Sequence, residues 1–101
     1  MDVIIRVDAQ RSGLVVLGEV YVLEPDPSKE DQYVQTIHAS NGNDFSIALV
    51  PNSYILKFHI TSGSGAYRVL VLQEDGTPIA YKDFDTKNGI TGKSVRFEVR
   101  Q

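Results

Sequence analysis

The sequence predicts an all-β fold: an antiparallel β-sandwich of 7–8 short strands, in one domain spanning residues 1–101. Two observations carry that expectation. Apolar residues recur at period 2 along nearly the whole chain, and no window of helical length shows a convincing 3.6-residue period. Gly, Pro, Asn and Asp also punctuate the apolar runs at the short intervals that antiparallel connections need.

Taken in order, residues 3–7, 14–23 and 32–39 supply the first three strands. In 45–50 the inward set is Phe45, Ile47 and Leu49. In 54–61, Tyr54, Leu56, Phe58 and Ile60 face one way, and Ile55, Lys57, His59 and Thr61 the other. Residues 67–73 and 78–84 flank Glu74-Asp75-Gly76-Thr77, whose Asp-Gly pair predicts a type I′ hairpin turn. Pro78 at a strand start suits a sheet edge, because a strand there need not donate every ladder bond. The last strand, 94–101, alternates Val95, Phe97 and Val99 with Arg96, Glu98 and Arg100. Asn41-Gly42-Asn43, Pro51-Asn52 and Ser62-Gly63-Ser64-Gly65 read as tight connections, which makes the five segments from 32 to 84 a run of neighbouring strands with some crossing between sheets left open. Residues 24–31 and 85–93 are the longer loops.

The totals exclude several classes. Hydrophobic residues at 42% and charged residues at 23% are ordinary globular usage, so neither disorder nor a collagen-like chain is expected. With no Cys, disulfides, thiolate catalysis and Cys-ligated zinc are all removed. A net charge of −3 argues against nucleic acid as a partner. Neither a basic start followed by an apolar signal run nor a stretch near the ~20 apolar residues of a membrane span is encoded, so membrane insertion is not expected and the compartment stays open.

The segment running from Thr36 through Asn41-Gly42-Asn43 and Phe45 to Leu49-Val50-Pro51-Asn52-Ser53-Tyr54 and on to Phe58 resembles the transthyretin-like and carboxypeptidase-regulatory-like β-sandwich modules. Gly13-Leu14-Val15-Val16 and Glu19-Val20-Tyr21-Val22 match the opening strands of those modules, so the resemblance covers residues 13–61, with Ser53 where the family usually has Gly. It implies a non-catalytic role in support, adhesion or assembly. The catalytic branch, the hydroxyisourate hydrolases, ends in Tyr-Arg-Gly-Ser; this chain ends Phe97-Glu98-Val99-Arg100-Gln101, and that activity does not carry over.

Candidate chemistry is sparse, and no enzyme or cofactor is expected. If strands 32–39, 45–50 and 54–61 are neighbours in that order, His38 and His59 share a face with one strand between them, roughly 9–10 Å apart, too far for one metal ion. Asp83-Phe84-Asp85-Thr86-Lys87-Asn88-Gly89 fails the EF-hand spacing, since Lys87 takes the fifth place and Gly is seventh. A looser calcium site from Asp83, Asp85 and Asn88, or from Glu24, Asp26, Glu30 and Asp31, is an alternative to plain solvated carboxylates, as is carbohydrate binding through the long loops. Ser62-Gly63-Ser64-Gly65 lacks a following helix or a basic neighbour and reads as a hairpin tip.

One surface stands out from this background. Residues 32–65 hold only Lys57 and Asp44 as fixed charges. The outward set of 32–61, including Val34, Thr36, His38, Ala48, Val50, Ile55, Lys57 and His59, forms a near-neutral face, whereas exposed sheets normally carry charge against association. The expectation is a non-catalytic assembly or recognition module, held to a protein partner or a second copy through this face; the bland reading is that the fold covers it by itself.

Overall fold

The structure, a computed structural model, describes residues 1–11 and 13–100. Gln101, the last residue of the expected final strand, lies outside the described residues. Among the described residues, eight strands follow in order: β1 (Asp2–Ala9), β2 (Val15–Val22), β3 (Gln32–Ser40), β4 (Phe45–Ala48), β5 (Asn52–Ser62), β6 (Ala66–Gln73), β7 (Pro78–Asp85) and β8 (Lys93–Val99), with one 3-10 turn at Thr86–Asn88. They form two four-stranded antiparallel sheets, ordered β4-β1-β6-β7 and β3-β2-β5-β8. The all-β sandwich read from the alternation is therefore the architecture observed.

Period-2 patterning builds the core directly, since alternate residues of a strand face opposite sides. Val3, Ile5, Val7 and Ala9 of β1 and Tyr67, Val69 and Val71 of β6 are buried against Tyr54, Leu56, Phe58 and Ile60 of β5 and Val95, Phe97 and Val99 of β8. Tyr54 stacks on Phe97 with centroids 5.5 Å apart, and Phe84 meets Phe58 edge-on at 5.2 Å while stacking on Tyr67 at 5.4 Å. Gly18 of β2 lies opposite Phe58. A Cβ there would fall 2.4 Å from the Lys57 carbonyl oxygen and 2.7 Å from the Phe58 Cβ, so glycine is what allows β2 and β5 to close around the ring.

Connectivity differs from a run of neighbouring strands. Among the described residues only β2 with β3, and β6 with β7, are consecutive strands of one sheet; β3 to β4, β4 to β5 and β5 to β6 each cross between sheets. The Pro51-Asn52 turn is thus a crossing and not a hairpin. The phenol of Tyr54 secures it by donating to the Val50 carbonyl oxygen at 2.5 Å. The Asp75-Gly76 turn is not type I′, which needs positive φ at both central residues. Only Gly76 has positive φ (89°), Gly76 N–H donates to Gln73 O, and the Asp75 carboxylate accepts from the Thr77 N–H at 2.9 Å, which holds Asp75 in an ordinary conformation.

Candidate interface on the β3-β2-β5-β8 sheet

Cross-strand register assembles the outer face of this sheet into rows. Leu17 of β2 lies opposite both His38 of β3 and His59 of β5. One row along, Glu19 lies between Thr36 and Lys57, with Ser94 of β8 beyond. Next come Tyr33, Tyr21, Ile55 and Arg96. The imidazoles are separated by one strand, as expected, but that strand is β2. Two strand spacings of ~4.8 Å keep them too far apart to share a metal.

Local contacts fix the middle of the face. Tyr21 and Tyr33 meet edge-on at 6.0 Å, and the Tyr33 hydroxyl hydrogen-bonds Thr36 Oγ1 at 2.9 Å. The Tyr21 hydroxyl donates to the Glu19 carboxylate, and that bond to an anion raises the Tyr21 pKa above the usual phenol value. Lys57 Nζ stands 4.9 Å over the Tyr21 ring and 3.8 Å from Asp31. Ile55, only 6% exposed, is covered although it belongs to the outer face.

The structure brings together six of the eight residues expected on one face. Thr36 and His38 sit on β3, Ile55, Lys57 and His59 on β5, and Val34, 36% exposed, occupies the register shift of β3 against β2. Ala48 and Val50 are elsewhere: Ala48 pairs with Asp2 in the opposite sheet, and Val50, 70% exposed, lies at the β4 to β5 crossing. The cause is that crossing, which separates two segments adjacent in sequence. Sequence reasoning missed Leu17, Glu19 and Tyr21 of β2 and Ser94, Arg96 and Glu98 of β8. Their alternation marks them as outward, but only the strand order assigns them to this sheet. The face consequently carries Glu19 and Glu98 against Lys57 and Arg96, balanced in charge instead of holding a single fixed charge.

A cleft of about 390 Å³ opens where β8 begins, lined by Glu19, Lys57, His59, Thr91, Lys93 and Ser94. Its cations are engaged elsewhere, Lys57 as above and Lys93 Nζ on the Asn88 carbonyl oxygen at 3.2 Å. The long loops likewise consume their own carboxylates: Asp31 accepts from Glu24 N–H, Glu24 from Asp26 N–H, and Asp26 from both N–H and hydroxyl of Ser28, which lowers the Asp26 pKa. Asp83 is paired with Arg68 at 2.6 Å, and Asp85 accepts from Lys87 N–H. Among the described residues no three His, Asp or Glu side chains are grouped so as to hold a metal ion, and no helix is long and apolar enough to cross a membrane.

The four sheet edges are not alike. β4 is four residues long. β7 starts at Pro78 and points Lys82, opposite Val69, toward the inner side beside Phe84. β8 carries Lys93, Arg96 and Glu98. β3 is nine residues long with no charged residue, and its first five positions are all exposed, Tyr33 at 54%. Short strands, proline, charge and inward-pointing cations are the usual protections of an edge, and β3 has none of these.

The chain was compared with protein-family models, curated proteins and solved structures, and it matches none of them.

Proposed function

We propose that the chain is a non-catalytic assembly or recognition module, a subunit of a larger complex or homo-oligomer, which meets its protein partner on the β3-β2-β5-β8 sheet. The observation carrying this reading is the contrast between the two sheets. The outer face of β4-β1-β6-β7 is laced by Arg6 to Asp44 at 2.9 Å and Arg68 to Asp83 at 2.6 Å. The opposite sheet presents His38, Leu17, His59, Thr36 and the Tyr21-Tyr33 pair, continuous with the uncharged β3 edge. Aromatic, neutral and charge-balanced surface of this type favours a protein partner over a polyanion.

Photo-crosslinking tests the reading. A benzophenone side chain at Thr36 or His59, in the protein expressed in its own cell, is expected to give a discrete protein adduct that excess unlabelled chain competes away. The same probe at Arg68 is expected to give none. No competable adduct from either Thr36 or His59 overturns the proposal.

A further inference from the structure

On the strength of that reading, we infer that β3 pairs edge to edge, antiparallel, with β3 of a second copy, joining two β3-β2-β5-β8 sheets into one continuous eight-stranded sheet across a two-fold axis near Ile37. β3 is bonded on one side by β2. On its other side the described backbone bonds close only the end of the strand, where Ser40 and Asn43 exchange N–H to O bonds of 3.2 and 2.9 Å. Alternate residues of this edge therefore present open N–H and C=O groups, and an incoming strand is the partner that satisfies those of the regular stretch.

Charge selects a second copy as that strand. A two-fold axis sets each residue of β3 against another residue of β3, so a charged strand would meet like charges in some registers. The nine residues from Gln32 to Ser40 carry none. Centred on Ile37, the pairing sets Thr36 against His38 of the second copy on the outer face, and Gln35 against Ala39 of the second copy on the inner one. Ile37 meets its own counterpart as a β-branched pair, a favourable cross-strand combination.

Charge also selects the direction. The loop leading into β3 carries Glu24, Asp26, Glu30 and Asp31. A parallel pair would set these two acidic loops side by side. The antiparallel pair holds them at opposite ends of the joint, about 40 Å apart at ~3.3 Å per residue, several Debye lengths at physiological salt. The register shift at Val34 confines regular pairing to 35–39, so the joint is short and reversible.

The experiment is sedimentation equilibrium from micromolar to millimolar concentration on the whole chain, its Thr36→Lys variant and its Ser46→Lys variant, with thermal melts for each. The wild type is expected to pass from monomer to dimer. Thr36→Lys, at an exposed position, is expected to keep the melting temperature and to weaken association on the order of ten-fold or more by facing lysine with the opposing strand; Gln35→Lys replaces it if it does not fold. Ser46→Lys, at an exposed position of β4 in the other sheet, is expected to dimerise as the wild type does. A wild type that stays monomeric at millimolar concentration overturns self-pairing, and the crosslinking experiment then judges the wider reading separately. A dimer untouched by both Thr36→Lys and Gln35→Lys, or dissociated by Ser46→Lys as much as by either, overturns edge pairing in favour of contact elsewhere on the molecule and leaves the assembly reading standing.

Discussion

Tyr54 reaches back four residues to donate its hydroxyl to the Val50 carbonyl oxygen, 2.5 Å away, and so ties the entry of β5 to the segment that has just left the other sheet. The ring is buried against Phe97, and burial pushes the phenol pKa above its usual value, so the group remains a donor throughout the physiological range. Tyr54→Phe keeps the stacking and removes the bond, leaving a partly buried carbonyl without its donor. The expected loss is about 1–2 kcal/mol, read as a lower denaturant midpoint at unchanged slope.

Tyr67 gives the opposite sign with the same substitution. Its hydroxyl is buried and has no hydrogen-bond partner, although the ring stacks well on Phe84. Burial first, and then the charge of Asp85, raise its pKa. An unpaired buried hydroxyl keeps its desolvation penalty with nothing to offset it, so Tyr67→Phe is expected to be neutral or to stabilise by about 1 kcal/mol. A clear destabilisation in the same denaturant assay would show that the hydroxyl has a partner in solution.

The two tyrosines also mark what the sequence reveals and what it withholds. That Tyr54 and Phe45 turn inward follows from alternation, and Tyr54 is buried while Phe45 packs against the core. Alternation is a local property, fixed by backbone geometry at each residue. Strand order is not local. β4 and β5 are separated by three residues, yet they join different sheets, and no residue in 49–51 announces the crossing. The β3 and β5 members of the expected face accordingly lie in one sheet, and Ala48 and Val50 lie outside it. In the same way, Asp75-Gly76 announced a turn between β6 and β7 but not its type: the type I′ turn expected there does not form, because the bond that Thr77 N–H donates to the Asp75 carboxylate competes with the left-handed conformation such a turn requires. The uncharged run in β3 was legible as composition. Its meaning as an edge emerged only once β2 and β5 were seen to occupy the middle of the sheet.

Acid sensitivity follows from the paired carboxylates. The Arg68 guanidinium holds Asp83 below its ordinary pKa by hydrogen bonding, Asp75 is lowered by the Thr77 backbone N–H, and Glu98 is lowered by Arg100. Each folded-state pKa lies below its unfolded value, so between the two the unfolded chain binds more protons and stability rises with pH. The contribution is complete above the unfolded carboxylate values, near pH ~4, and is lost as pH falls through the folded ones. Melting temperature is therefore expected to be nearly flat from neutrality to about pH 5 and to fall below that. Arg68→Gln isolates one element of this. Asp83 should titrate closer to an ordinary aspartate by NMR, while stability at neutral pH changes little, because the pair is solvent-exposed. An Asp83 titration unmoved by Arg68→Gln would mean that the contact seen between them does not persist in solution.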